Sequence, residues 1–298
     1  MNYEFAALDF IIDKRKTLYF IEANSSPGAL TEYKKAYLNS RPVQKLCGFL
    51  NKDFKHMAVI SKKNWDKSKI SKVFRKYFKG KITFCPYDKN KANMLKGNGS
   101  LLSIKNKKIL PDVVLRVAAG KATAQEKAGI KVINPYCISR LTINKIKIKK
   151  IVKKHTNIKV PRFFRVNKKS DIKTILNKNK KLFSYGFILK PKSGHKSEGV
   201  IISHSYEKIP KKFKIKRPYI IEEIIQPYPL FKREFFEIRS MAVSGKYAGS
   251  MLFVSPKRPM HLFKEGRTER IPKKLEIKIK KATEKIVKVI EKESKKSL

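Results

Sequence analysis

The chain has 298 residues, of which 41% are hydrophobic, with Gly and Pro spaced through it; this is enough apolar content for one large core or a few smaller lobes, and it excludes a disordered polymer. No uncharged run is long enough to cross a bilayer, and the opening MNYEFAALDF lacks the basic start and cleavage site of an export signal, so a cytoplasmic protein without membrane insertion is expected. With 72 Lys plus Arg against 23 Asp plus Glu, the net charge of +49 favours polyanions, but the lysines are spread along the whole chain and no compact basic and aromatic repeat accompanies them, so nucleic acid would be met through surface charge only.

Residues 5 to 13 and 17 to 23 read as two short strands joined by DKRK, and the second runs into FIEANSSPG. Residues 31 to 48 read as a helix with Thr31 as N-cap and a break near Pro42. From about residue 55 the pattern alternates. HMAVIS, KITFCPYD, PDVVLRVAAG and the end of AGIKVINP read as strands with helical stretches between them, which implies a small parallel sheet with its ligand at the carboxyl ends of the strands, near Arg116 and Gly120. A helix is expected from about 140 to 156, then an extended exit at Val160-Pro161. In the second lobe, residues 182 to 203 form a strand, a Gly and Lys rich turn and a second strand. RPYIIEEIIQPY is a further strand, EFFEIRSMAVSGKYAGSMLFVS a hairpin turning at 244 to 246, and 273 to 293 a closing amphipathic helix with a lysine face. Cys47, Cys85 and Cys137 are few and widely spaced, which fits buried small hydrophobes and neither a disulfide framework nor a zinc site.

Three places could carry chemistry. Lys190 ends an apolar strand before PKSGHKSEG, where Gly194 and Gly199 would let backbone donors turn toward a phosphate; a plain surface hairpin turn reads equally well. Glu222 and Glu223 lie among Ile220, Ile221, Ile224 and Ile225, either an apolar slot for a flat ring beside a carboxylate or an exposed sheet edge. Asp9, Glu22 and Asn24 place three hard oxygen groups on neighbouring strand ends, a set that suits magnesium sharing its shell with phosphate; a hydrated surface hairpin is the alternative.

Taken together these segments resemble the ATP-grasp superfamily of ligases. FIEANSSPG is similar to the magnesium segment of its D-alanine-D-alanine ligases and of its ribosomal-protein glutamate ligases. The resemblance implies an α/β protein with α+β lobes, a small parallel-sheet preceding domain, and ATP with Mg2+ (or Mn2+) as cofactors. Asp9, Glu22 and Asn24 would hold the metal. Lys145 and Lys190 would be the two ATP-contacting lysines, and GHKSEGV the lid, with Gly194 and Gly199 at its ends and Ser197 where a glycine is usual. YIIEEII would hold adenine, with Glu222 near its amine and Ile224 and Ile225 lining the ring. Arg239 in FEIRSMAV would face the reaction centre. Residues 250 to 272 depart from the pattern of the peptide-ligase members, leaving Arg258 or Arg267 as a further cation; His195 reads as a surface polar residue of the lid.

The order of segments differs from that of the superfamily. Its Asp and Glu-x-Asn strands come last, after a helix; here that helix closes the chain and the strands open it. A circular permutation accounts for this; a fused upstream module or a misplaced gene boundary is the alternative. The corresponding division is residues 1–50 for the metal-binding strands, 51–135 for the preceding domain and 136–298 for the grasp lobes, with the lid at 190–200 and the hinge at 219–225. The implied activity is an ADP-forming carboxylate-amine ligase working through an acylphosphate on an amino-acid or peptide carboxylate, and a basic surface would suit an acidic peptide or protein. The competing readings are a catalytically degenerate nucleotide-binding module for an acidic protein or nucleic acid, and a purely structural basic protein. A dimer is compatible with all of them.

Overall fold

The computed structural model describes residues 3–25, 30, 40–61, 67–86, 102–104, 107–117, 123–193, 199–226, 235–255 and 267–296. In chain order the elements are β1 (Phe5–Ile12), β2 (Leu18–Asn24), α1 (Arg41–Leu50), β3 (His56–Ser61), α2 (Lys69–Tyr77), β4 (Lys81–Pro86), β5 (Leu102–Ile104), β6 (Lys107–Ile109), β7 (Val113–Arg116), α3 (Thr123–Lys127), β8 (Lys131–Ile133), α4 (Tyr136–Ile143) and α5 (Lys145–His155). They continue with β9 (Phe163–Val166), α6 (Lys169–Lys178), β10 (Phe187–Pro191), β11 (Ile201–Ser203), β12 (Tyr219–Glu223), β13 (Phe235–Val243), β14 (Lys246–Ser255), β15 (Arg267–Glu269) and α7 (Lys273–Lys295).

The architecture is mixed α/β. A five-stranded antiparallel sheet runs β15-β14-β13-β1-β2, a four-stranded antiparallel sheet runs β11-β10-β12-β9, and a four-stranded parallel sheet runs β4-β3-β7-β8. β5 and β6 pair as a separate hairpin. The parallel sheet expected from the alternating segments is thus present.

β1 is buried on both faces, and its alternation shows why. Leu8, Phe10 and Ile12 pack with Ile238 against α4, α5 and α7, in a core that includes Ile148, Val152, Ile286 and Ile290. Phe5 and Ala7 face the opposite way, into a core shared with Met241, with Leu46 of α1, and with Met57, Val113 and Ile133 of the parallel sheet. The parallel sheet and the five-stranded sheet therefore share apolar packing. The β9–β12 sheet has a core of its own, built from Val166, Phe187, Leu189, Tyr219 and Ile221 over Ile172 of α6.

α7 buries Ile279, Ala282, Thr283, Ile286, Val287 and Ile290, spaced three and four apart, and turns its lysines outward, as an amphipathic helix must. Its last turns reach the start of β1, where Tyr3 N donates to Glu291 Oε1 at 2.9 Å. The single helix expected over 140 to 156 is two. Asn144 takes extended backbone angles between α4 and α5 and its side chain accepts from Lys147 N, so one residue ends the first helix and caps the second. α1 begins after Ser40; the expected N-cap Thr31 lies outside the described residues.

Asn134, fully buried at the end of β8, ties the two sheets together. Its Oδ1 accepts from Phe5 N at 3.0 Å, and its Nδ2 donates to Phe5 O at 2.6 Å and Ser25 O at 2.5 Å. Replacing it with Ala strands two buried backbone groups and one partly buried one, and Asn134→Ala is expected to lose about 2–4 kcal/mol of unfolding free energy in urea titration.

Candidate functional site

The site begins with a polar residue in a strand buried on both faces. Asp9 has no exposed surface, and directly across the ladder Arg239 of β13 grips it with two parallel bonds, Nε to Oδ1 at 2.7 Å and Nη2 to Oδ2 at 2.9 Å. The Arg239 guanidinium also lies 5.5 Å from the centre of the Phe253 ring.

On the other side of β1 the ladder is irregular. Phe20 pairs with Phe10, but the next pair is Glu22 with Asp9, so Ile21 is an extra residue. Residues opposite one another in a ladder share a face. The bulge therefore leaves Phe20 in the helix-side core and turns Glu22 and Asn24 onto the face of Asp9, which strict alternation from Phe20 would have denied them. Asn24 Nδ2 points at Asp9 Oδ2 from 3.4 Å.

The second half of the site stands on the other antiparallel sheet. Phe187, Leu189, Tyr219 and Ile221 supply that sheet's core, so alternation sends Lys190 and Glu222 to its opposite face. Lys190 Nζ lies 2.8 Å from Glu222 Oε2, and Lys149 of α5 reaches Glu222 Oε1 at 3.2 Å. Lys145, one turn earlier on the same helix, sits 3.4 Å from Glu22 Oε2, and its backbone N donates to Lys192 O just past β10.

These charges condition one another. Burial raises the Glu22 pKa, but Lys145, Lys190 and Arg239 outweigh it and draw the carboxyl down to about 2. Burial lowers the pKa of Lys190, yet Glu222 and Glu22 leave it above the usual lysine value. Glu222 is likewise held below the usual carboxylate range, with Lys149 and Lys190 outweighing its burial. Glu237, two residues before Arg239, behaves in the opposite way: burial and the neighbouring Asp9 hold its pKa well above the ordinary value despite Arg239.

The structure brings together Asp9, Glu22, Asn24, Lys145, Lys190, Glu222 and Arg239. Ile225 is buried and Ile224 half-buried just past β12. Gly199 has φ +73°, and a Cβ there would stand 2.8 Å from the Tyr219 hydroxyl, so only glycine fits that approach. Gly194, His195, Ser197, Gly120 and Arg258 lie outside the described residues. Arg267 stands apart: it is half-exposed on β15, the far edge of the five-stranded sheet, paired with Glu269 at 2.8 Å. Arg116, at the carboxyl end of β7, donates to Asn134 O and Ser139 Oγ, and Ser139 in turn receives the Ser25 hydroxyl at 3.1 Å, which places this cluster beside the end of β2.

Sequence reasoning passed over Lys149 and Glu237. The signal for Lys149 was its position four residues after Lys145 on a helix; that for Glu237 was its position two before Arg239 on a strand. Among the described residues no group of three or more His, Cys, Asp or Glu side chains is arranged to hold a metal ion. The donor chemistry nonetheless fits magnesium bound partly through phosphate, which asks one or two carboxylates of the protein. Glu22 and Asn24 supply hard oxygens on the face of Asp9.

No protein-family profile matches the chain, and no curated protein resembles it in sequence. Solved structures do resemble it in shape. A protein from Methylobacillus flagellatus KT, provisionally assigned as a gamma-glutamylcysteine synthetase, superposes with a TM-score of 0.67 at 10% identity, covering 99% of this chain and 89% of that one. D-alanyl-alanine synthetase A from Vibrio cholerae O1 biovar eltor gives 0.59 at 14% identity, over 80% and 81%. The ATP-grasp ligase PsnB, complexed with a minimal precursor, gives 0.50 at 13% identity, over 80% and 82%. The chain has an ATP-grasp fold. At these identities the likeness fixes the fold alone; within the ATP-grasp fold, the seven residues above lie where its two antiparallel sheets meet. No helix among the described residues is long and apolar enough to cross a membrane.

Two outcomes test the electrostatics. Asp9→Ala removes the two-bond acidic partner of the partly buried Arg239 guanidinium and is expected to cost about 3–5 kcal/mol in denaturant unfolding, with the double change Asp9→Ala, Arg239→Met costing less than the two single changes combined. Glu237 has a raised pKa, so its contribution to stability is full below the unfolded carboxylate pKa and is lost as pH rises through the folded one. Glu237→Gln is therefore expected to gain on the wild type in melting temperature as pH is raised above the ordinary carboxylate range of about 4, read by calorimetric scans.

Proposed function

We propose that the chain is an ATP-dependent, ADP-forming carboxylate-amine ligase. One observation carries this reading: Lys145, Lys190 and Arg239 converge on the carboxylates of Asp9 and Glu22 where the two antiparallel sheets meet, giving a site with cations for phosphates and oxygens for a metal. Lys145 and Lys190 neutralise the nucleotide phosphates; Glu22 and Asn24 would hold magnesium, which when bound screens the β and γ phosphates. Glu222 and the residues after it, Ile224 and Ile225, border the purine. Asp9, through its bidentate bonds, fixes Arg239 so that its guanidinium keeps one orientation over the reacting centre. A substrate carboxylate attacks the γ phosphorus and ADP leaves; an amine then displaces phosphate from the acylphosphate, and Arg239 stabilises the negative charge of the tetrahedral intermediate.

The named neighbours, a provisional gamma-glutamylcysteine synthetase, a D-alanyl-alanine synthetase and a ligase complexed with a precursor, support an amino acid or peptide as the carboxylate substrate. Arg116 and Ser139 border the side on which it would enter. We read the segment order as a permutation, supported by the last turns of α7 lying against the start of β1. A second reading is favoured by the Asp9 carboxylate: with both oxygens gripped by Arg239, the chain would bind nucleotide without turnover and serve as a binding module for an acidic protein.

Calorimetry of Mg-ATP binding to the full chain decides between these and neither. Binding that weakens by about tenfold or more in Glu22→Ala, Asn24→Ala and Lys190→Ala is expected. Absence of binding by the folded wild type, or wild-type affinity in all three variants, removes both readings. ADP release with a panel of amino-acid carboxylates and amines then separates ligase from binding module.

A further inference from the structure

Lys149 is an expensive residue. Its side chain has no exposed surface, its ammonium has Glu222 as its ion-pair partner at 3.2 Å among the described residues, and an apolar side chain of similar volume would fill the same space at lower cost. The neighbours of Lys149 along α5, Ile148, Ile151 and Val152, belong to the core beneath the five-stranded sheet. Its ion-pair partner does not. Glu222 and Lys190 stand on the β9–β12 sheet, which has a separate core. The Glu222 carboxylate is consequently held by two lysines from different bodies, Oε1 by Lys149 at 3.2 Å and Oε2 by Lys190 at 2.8 Å.

We propose that Lys149 is a positioning residue: by pinning Glu222 Oε1 from α5, it fixes the carboxylate so that Oε2 holds Lys190 in a single direction, and it locks the helix-bearing lobe to the nucleotide-bearing sheet at the site. What Lys190 holds rests on the ligase reading above; the tether itself does not. Without Lys149, a buried carboxylate with one partner can swing about its last torsion and offer either oxygen, and Lys190 swings with it. Lys145 cannot substitute, because it is committed to Glu22 one turn away.

The charged groups facing Lys149 are Glu222 from β12, Lys190 from β10 and Glu22 from β2. Burial draws the Lys149 pKa down to about 8, with Glu222 opposing the fall. Lys190 is raised and both carboxylates are lowered, so of these four groups Lys149 alone changes charge between about pH 7 and about pH 9. As it loses its proton, it releases Glu222.

The test measures Mg-ATP affinity by calorimetry at about pH 7, 8 and 9 for the wild type, Lys149→Met and Lys149→Arg, alongside a Lys149→Met, Glu222→Gln unfolding cycle without nucleotide. The wild type is expected to lose about tenfold in affinity across this range; Lys149→Met to be about tenfold weaker at pH 7 and flat; and Lys149→Arg, which stays charged, to keep the pH 7 affinity throughout. Wild-type affinity in Lys149→Met at pH 7, or a wild-type pH fall in either variant, overturns the proposal. If Lys149→Met does not fold, Lys149→Arg decides alone, by the same criterion. If the wild type binds no ATP, the ligase reading falls, and the unfolding cycle still judges the tether with Lys149→Arg, Glu222→Gln as its alternative pair: non-additive effects support it, and additive ones overturn it.

Discussion

The five-stranded sheet is built around one carboxylate placed where an apolar side chain would be expected. Asp9 sits in a strand buried on both faces, between β13 and β2, with hydrophobic neighbours along its length. An isolated ionised carboxyl cannot be kept there, so the strand on one side must bring a guanidinium to it, and Arg239 does so with paired bonds at 2.7 and 2.9 Å. That requirement fixes the register of β1 on β13. A slip of one residue would bury Arg239 against Leu8 or Phe10 and leave Asp9 facing a hydrophobic partner, so the ladder is specified by charge as well as by shape.

The same logic extends outward. The chain as a whole is strongly basic, yet the site holds several of its few acids: Asp9, Glu22, Glu222 and Glu237 stand among Lys145, Lys149, Lys190 and Arg239. Surface lysines cost nothing in structure and gain little, being solvated and screened. The four cations of the site are different, since each is at least partly buried and each has a named acid within 3.4 Å. Net charge therefore says little about this protein's work; the balanced minority of charges near the sheet junction says more.

Much of this was legible in the sequence. The apolar alternation of FAALDFII and LYFIEAN gave two strands, the hairpin at 244 to 246 was visible from Ser-Gly, and the alternating segments between 55 and 135 implied the parallel sheet that the fold contains. Three features were not legible, each for a physical reason. The extra residue Ile21 breaks the period of two, and a bulge has no composition signature when the residue it inserts is itself a good strand former. The break at Asn144 hides within a lysine and isoleucine run whose periodicity continues across it, so α4 and α5 read as one helix. Lys149 is indistinguishable by composition from the solvated lysines around it, and only the approach of another sheet, brought by residues more than seventy positions away, buries it. The helix α6 was also passed over, although Asp171 accepts from the backbone N–H groups of Asn167 and Lys168 in the manner of a helix start.

The position of β1 within its sheet bears on how the chain reaches this state. β1 is an inner strand, and its partner β13 lies some two hundred and thirty residues further along, so the hydrogen bonds between Asp9 and Arg239 join segments far apart in sequence. Synthesis delivers β1 and β2 well before the strand that must cover them. Until β13 arrives, β1 has an open edge and an acidic side chain without its two-bond partner, and the loop that has to close is long. Closures of this length are slow steps, so the pairing of β1 with β13 is expected to form late among the contacts of this sheet, and until it forms the open edge of β1 is exposed to pairing with another chain.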